Sequence, residues 1–459
     1  MKLSELYEIY KQYPFITTDT RKHLTNSIFF ALKGENFDGN AYIEQALEQG
    51  CVYAVGDDPE LPKNNHHIIQ VENVLQTLQE LAMFHRRNLK IPVIGITGTN
   101  GKTTTKELVA AVLSSKYNVL YTQGNLNNHI GVPLTLLSIT QKHDIAVIEM
   151  GANHRGEIAE LAAIAEPDYG LITNVGKAHL EGFGSFENVI KTKSELYQFV
   201  EKTGGKIFIN HDNPYLNAVS CDAEKIYYGS PVGCEPKCSP KCEPKCSPKC
   251  EPKCSPKCEP VCSPILGEII ENESPFLSFK YFINQKNYEV KTQLIGNYNF
   301  ENALAAVAIG TYFNVEPDKI CESLTNYVPQ NNRSQLSETS KNHLIIDAYN
   351  ANPTSMFASL ENFSKMKTSP KAIILGDMKE LGKESVSEHQ KILDFIDKNQ
   401  FDKVFLCGEI FSNLSNGKYL SFPHIDQLVE YLKNEDLQGY YILIKGSRGI
   451  MLEKTIAYL

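Results

Sequence analysis

Short apolar runs alternate with longer amphipathic stretches over most of this chain. Val93–Thr97, Val119–Thr122, Ile145–Met150, Tyr169–Asn174 and Lys206–Asn210 are too short for buried helices and predict strands. Helical patterns separate them. Strands alternating with helices predict a mainly parallel sheet with helices on both faces. The same rhythm returns towards the C-terminus, with strands expected at Leu344–Asp347, Ala372–Gly376, Val404–Cys407 and Tyr441–Lys445. That stretch reads as a second, smaller doubly wound unit. Near the N-terminus, Tyr42–Gln49 and Val71–Arg87 predict helices, the second leading into the central unit.

The expected fold class is therefore α/β in three domains, over residues 1–85, 86–327 and 328–459. The first is an N-terminal α/β domain. The second is a central, mainly parallel sheet of the phosphate-loop type, and the third is Rossmann-like. A length of 459 residues accommodates three domains of ordinary size.

The pattern breaks once, at 232–264. Here Cys-Glu-Pro-Lys-Cys-Ser-Pro-Lys repeats from Cys234 onward and ends at Cys258-Glu259-Pro260-Val261-Cys262-Ser263-Pro264. A proline every fourth residue blocks both helix and sheet ladders. The segment reads as an extended, mostly disordered insertion in a surface loop. Its thiols recur as C-x₃-C without histidine, unlike the C-x₂-C pairs of zinc sites. A repeat-expanded linker is expected ahead of a metal or redox centre. Outside it, Cys51, Cys221, Cys321 and Cys407 read as single buried or partly buried thiols.

A net charge of −9 argues against non-specific nucleic-acid binding, which needs a basic surface. No apolar run approaches the ~18 residues of a membrane span. The first residues lack the apolar core of a signal peptide, so a cytoplasmic location is expected.

The strongest chemical signal follows the strand Val93–Thr97. Gly98-Thr99-Asn100-Gly101-Lys102-Thr103 leads into a stretch, Thr104 to Ser115, compatible with a helix. Strand, glycine-rich turn and helix in that order form a phosphate-binding loop. Backbone amides and the helix N-terminus attract an anion, Lys102 can reach terminal phosphates, and the Thr103 hydroxyl can ligate Mg²⁺. The ligand expected is a nucleoside triphosphate. The loop departs from G-x-x-x-x-G-K-[ST]: Ile96 stands where the first glycine would be, bracketed by Gly95 and Gly98.

Other polar residues fall at expected strand ends. Glu149 closes one apolar strand and could hold Mg²⁺, or be a surface acid. His179 and Glu181 follow another. Lys193 lies in a helical stretch and reads, by itself, as a solvated lysine. Asn125-Leu126-Asn127-Asn128-His129-Ile130-Gly131-Val132-Pro133 is an amide-rich loop suited to a polar substrate or simply to a turn. Asn299 opens a helix expected at Ala303–Thr311, as cap or as ligand.

Together these motifs resemble the Mur ligase family of ATP-dependent amide ligases. Its T-G-T-N-G-K-T loop matches Thr97–Thr103. Gly124-Asn125-Leu126-Asn127-Asn128, Glu149-Met150-Gly151-Ala152-Asn153-His154, Asn174-Val175-Gly176-Lys177-Ala178-His179 and Gly296-Asn297-Tyr298-Asn299-Phe300-Glu301-Asn302 follow in family order. The resemblance covers nearly the whole chain apart from 232–264. Three stretches, Phe29–Gly39, Asp347–Met356 and Leu375–Gly382, resemble the branch that adds D-alanyl-D-alanine to UDP-MurNAc-tripeptide. The alternative is a ligase adding a diamino acid to UDP-MurNAc-dipeptide. Its D-N-P-R or D-D-P-R signature has only Asp212-Asn213-Pro214-Tyr215 as a counterpart, in the middle domain and without the arginine.

The resemblance implies ATP and Mg²⁺ as cofactors and a role for each matching residue. Gly98, Thr99, Asn100, Gly101, Lys102, Thr103 and Thr104 would cradle the phosphates. Thr103, Glu149, His179 and a carbamylated Lys193 would ligate metal, with Lys102, Lys193 and His179 counted as catalytic. Asn302, Arg333 and Asp347 would hold adenine, phosphate and ribose. Thr20, Arg21, Lys33, Gly34, Asp38 and Gly39 would belong to the uridine-nucleotide site, and Asn127 and Asn128 to the substrate. Tyr349, Asn350 and Asn352 would meet the incoming dipeptide. Tyr298 stands where the family often has histidine. A monomer with no nucleic-acid partner and no membrane span is expected.

Overall fold

The apolar run Ser27–Phe30 is buried at every residue. It lies within a parallel sheet of order Phe15–Thr17, Ser27–Phe30, Tyr53–Gly56, Ile68–Gln70. A computed structural model describes residues 2–22, 24–219, 221–231, 265–271, 274–284, 286–330 and 332–459, so the cysteine–proline repeat and its expected disorder lie outside the described residues. The chain falls into two units: Met1–Ile207 with Cys221–Ala223 and Lys379–Ser385, and Phe208–Ser220 with Glu224–Met378 and Val386–Leu459.

In the first unit, Leu24, Phe29, Ala31, Ile43, Ala46, Cys51 and Ala54 form the core of the N-terminal sheet. A short hairpin pairs Lys33–Gly34 with Phe37–Asp38. The helix Val74–Asn88 begins at Asn73, whose side chain accepts a hydrogen bond from the Gln76 amide at 2.8 Å. It ends on Arg86 and Arg87, cations that suit the negative end of the helix dipole. Four further strands lie side by side and parallel in the order Val119–Tyr121, Ile145–Glu149, Val93–Thr97, Tyr169–Ile172. The two middle strands are buried throughout, as the unbroken apolar runs require. Ile96 pairs with Glu149, so the chain leaves both strands at the same edge.

In the second unit, Ile265–Ile269, Phe276–Ile283 and Lys286–Ile295 pair antiparallel, a departure from the parallel rhythm expected there. Their signature is alternation: Val290, Thr292 and Leu294 are buried while Lys291 and Gln293 are exposed. The helix Phe300–Tyr312 is buried along nearly its whole length. The last sheet has the order Gln335–Glu338, His343–Asp347, Tyr441–Lys445, Lys371–Gly376, Lys403–Cys407, Leu420–Phe422, parallel except for its first strand. Tyr441–Lys445 is inserted between two strands that precede it in the chain. The loops after Asp347 and Lys445 therefore emerge side by side. Cys51, Cys221 and Cys407 are buried and Cys321 is half-buried, in keeping with the burial expected of them.

Candidate active site

The turn after Val93–Thr97 is built from two glycines with positive φ. At Gly98 φ is +145°, and an added Cβ would lie 2.0 Å from Thr173 Oγ1. Gly101, at φ +76°, starts the helix Lys102–Ser114, which begins earlier than the Thr104 expected. The loop is walled by the segment after Tyr169–Ile172. Thr173 Oγ1 donates to Asn100 O at 2.6 Å, and the Asn100 and Gly176 amides donate to Asn174 Oδ1 and Thr99 Oγ1, each at 3.0 Å. Lys102 Nζ bends back over the loop, donating to Gly98 O at 2.9 Å and Thr99 O at 3.0 Å. Thr104 lies half-buried in the first helical turn.

Thr103 is buried, and its Oγ1 donates to Glu149 Oε1 at 3.2 Å. Asn127 Nδ2 donates to the same oxygen at 2.7 Å. Glu149 is 1% exposed, yet its Oε2 makes no hydrogen bond. Lys106 Nζ stands 3.9 Å from that oxygen, completely buried. Lys106 does not stand out in the sequence, because a lysine on a helix looks solvated by default. Its position one turn after Lys102 was the available signal. A hydroxyl and a carboxylate with an unused buried oxygen form a donor set that suits Mg²⁺. Asn128 does not join them; its Oδ1 accepts the Gly131 amide at 2.9 Å, and the helix Gly131–Leu136 starts within the expected loop.

His179 sits at φ +50° before the short helix Leu180–Phe183. Its Nδ1 is paired with Glu380, and this contact holds the Glu380 carboxyl below its usual range. The Glu181 amide donates to Glu380 O at 3.3 Å, and Lys177 pairs with Glu384 at 3.1 Å. The structure thus brings Thr103 and Glu149 together and places His179 against the segment Lys379–Ser385. Among the described residues no three His, Cys, Asp or Glu side chains gather as a metal centre.

The solvated reading of Lys193 is corrected by the structure. The helix Phe186–Lys202 turns it inward, where it is 3% exposed with Nζ 5.5 Å from the Phe183 ring centroid. Burial, and after it the charge of Lys102, holds its ammonium well below the ordinary lysine range. Its amine is thereby biased towards the neutral, nucleophilic form.

In the second unit, Asn302 Nδ2 donates to Asn299 Oδ1 at 3.0 Å, and Asn299 Nδ2 to Ile295 O at 2.9 Å. Asn299 precedes the helix without capping it through its side chain. Tyr298 shares a hydrogen bond with Ser334 at 3.0 Å, and burial and then Asp347 push its phenol pKa upward. Asp347 pairs with the buried Lys445 at 2.5 Å and accepts from Ser359 Oγ at 3.0 Å. The Arg333 guanidinium stacks on Tyr349, 3.8 Å from the ring centroid. Asn350 is exposed. Asn352 caps the helix Pro353–Lys365, its Oδ1 accepting the Ser355 amide at 3.0 Å.

In the N-terminal sheet region, Arg21 grips Asp19 through Nε at 2.8 Å and NH2 at 3.0 Å, beside the half-buried Thr20. Lys33 pairs with Asp57 at 2.9 Å and lies 3.7 Å from Asp38. Asp57 was not foreseen; it lies just past a strand too short to recognise. Gly34 forms the hairpin with Phe37. A Cβ on Gly39 would lie 2.5 Å from Leu32 O, so only glycine fits.

Three family models match the chain in succession: the Mur ligase family catalytic domain at residues 12–86, the Mur ligase middle domain at 96–230, and the glutamate ligase domain of Mur ligases at 332–448. The UDP-N-acetylmuramoyl-tripeptide–D-alanyl-D-alanine ligase of Bacillus subtilis is 35% identical over 96% of this chain and 92% of its own length. The Escherichia coli ligase of the same name is 32% identical, over 97% and 93% respectively. The crystal structure of MurF from Acinetobacter baumannii superposes with a TM-score of 0.82 at 27% identity, covering 99% of this chain and 98% of that one. With these matches spanning the phosphate loop and all three α/β regions, the chain belongs to the Mur ligase family.

Proposed function

We propose that this protein joins D-alanyl-D-alanine to UDP-N-acetylmuramoyl-tripeptide with the hydrolysis energy of ATP. The products are UDP-MurNAc-pentapeptide, ADP and phosphate, in peptidoglycan precursor synthesis. The observation that carries this reading is full-length similarity, at 35% identity, to a ligase of that name. The assembled phosphate loop agrees with it.

The chemistry proceeds in two transfers. The terminal carboxylate of the tripeptide attacks the γ-phosphorus of ATP, forming an acyl phosphate and releasing ADP. The free amine of the dipeptide then attacks the acyl carbon, and the tetrahedral intermediate collapses to amide and phosphate. Loop amides and Lys102 hold the phosphates and offset the charge that develops on them. For this Lys102 leaves its resting bonds to Gly98 O and Thr99 O. Mg²⁺, when bound, would neutralise phosphate charge, and Thr103 and Glu149 are the residues fitted to hold it. Lys193 would add CO₂ at its neutral amine, releasing a proton and becoming an anionic carbamate. His179 would join it as a metal ligand through Nε2, with its Nδ1 held by Glu380. Asn302, Arg333 and Asp347 would contact the nucleotide, the Thr20–Arg21 and Lys33–Gly39 regions the uridine nucleotide, and Tyr349, Asn350 and Asn352 the dipeptide. Because ATP and uridine nucleotides are cytoplasmic, the protein would act there, as a monomer.

The test is phosphate release from ATP with UDP-MurNAc-tripeptide, measured with and without D-alanyl-D-alanine. Lys102→Ala is expected to lower the rate by about 10³-fold or more while melting like the wild type. Near-wild-type turnover by that variant would overturn the assignment of the loop.

A further inference from the structure

Arg448 has no role in the reading above, yet the fold brings it to the residue proposed to meet the dipeptide. It begins the short 3-10 turn Arg448–Ile450, just beyond the strand Tyr441–Lys445. Tyr349 lies just beyond the neighbouring strand His343–Asp347, with Asp347 and Lys445 in register. Both side chains therefore stand at the carboxyl end of a parallel sheet, where open α/β folds bind their ligands. The two loops touch: Ser447 Oγ donates to Ala351 O at 3.4 Å.

Two guanidinium groups converge on one phenol there. Arg333 lies 3.8 Å and Arg448 5.3 Å from the Tyr349 ring centroid, and Arg448 NH1 donates to the Tyr349 hydroxyl at 3.4 Å. Neither arginine has a carboxylate within ion-pair distance among the described residues, and Arg333 Nε is buried without a hydrogen-bond partner. The nearby acid, Asp347, is already neutralised by Lys445. Two like charges held together with donors unused form a site for an anion, and the planar fork of arginine matches a carboxylate.

We propose that Arg448, supported by Tyr349 and Arg333, binds the C-terminal carboxylate of the incoming dipeptide and so sets amine specificity. The inference rests on the proposed ligase reaction for the identity of that carboxylate. A carboxylate and a nucleotide phosphate share the chemistry this site recognises. Arg448 is assigned to the carboxylate because it adjoins Tyr349 from an exposed turn, open to the substrate that reacts in the second transfer.

The experiment compares wild type, Arg448→Met and Arg448→Lys with D-alanyl-D-alanine and with D-alanyl-D-alaninamide, which lacks the terminal charge. For Arg448→Met, the KM for the dipeptide should rise about 10- to 100-fold, with the KM for ATP and for UDP-MurNAc-tripeptide unchanged. The wild type should prefer acid over amide, the methionine variant should treat them alike, and the lysine variant should fall between. Two results would overturn the proposal: preference for the acid surviving in Arg448→Met, or a rise in the KM for ATP instead, which would assign the arginine to phosphate. If the wild type ignores D-alanyl-D-alanine and uses a diamino acid, the ligase assignment fails instead. The same comparison with that amine and its amide then decides the carboxylate anchor separately.

Discussion

Lys102 and Lys193 carry the same side chain in opposite surroundings. Lys102 is half-buried, rests on carbonyl oxygens and can swing towards phosphate; Lys193 is sealed in a helix face that disfavours its charge. The motif made Lys102 legible in the sequence. Lys193 was marked only by the family resemblance and Lys106 not at all, because a lysine in a helical stretch shows burial only when its neighbours fold around it. Burial lowers the pKa of Lys193 and so favours a carbamate there. Protein equilibrated with ¹³C-bicarbonate should give a carbamate carbon resonance that disappears in Lys193→Arg, and its absence from the wild type would refute the assignment. Asp19 offers a pH test. Hydrogen bonds from Arg21 lower its pKa from 3.8 to about 2. Because the folded value is the depressed one, the pair's contribution is present above 3.8 and lost as pH falls through about 2. The Asp19 carboxyl should titrate by NMR near that value, and Arg21→Ala should return it towards 3.8.

The elements divide by how much of their burial is written locally. Strands buried on both faces announce themselves: Val93–Thr97 and Tyr441–Lys445 have the bounds their apolar runs predict. The N-terminal strands Phe15–Thr17 and Ile68–Gln70 are too short to show any period, and the hairpin Phe276–Ile283 with Lys286–Ile295 follows the repeat insertion and alternates instead. Helix ends depended on side chains whose second role the sequence did not show. Asn352, read as a dipeptide contact, also caps Pro353–Lys365. Asn352→Ala should therefore destabilise the protein by about 1 kcal/mol in denaturant unfolding. Gly98→Ala should act through the element alone: with a Cβ 2.0 Å from Thr173 Oγ1 at φ +145°, the loop must distort. Equilibrium dialysis should show ATP binding weakened by about tenfold or more, while the sheet still melts cooperatively.

Across the whole molecule, three successive family matches leave out all of the cysteine–proline insertion at 232–264. Loop-closure entropy grows slowly with length, so shortening a long connection changes stability little. A variant lacking 232–264, joined by a short glycine–serine linker, should keep turnover within about threefold of wild type. Loss of activity on deletion would assign the repeat a function. The order of motifs along the chain made the three-domain architecture legible, whereas the pairing of His179 with Glu380 was not, since those residues lie far apart in sequence. No helix among the described residues is long and apolar enough to cross a membrane. The most direct measurement of the central claim is phosphate release from Mg·ATP by the purified protein, with UDP-MurNAc-tripeptide and a panel of amines. Release that depends on D-alanyl-D-alanine, with UDP-MurNAc-pentapeptide as product, is the predicted result. Release driven by a free diamino acid and UDP-MurNAc-dipeptide would contradict it.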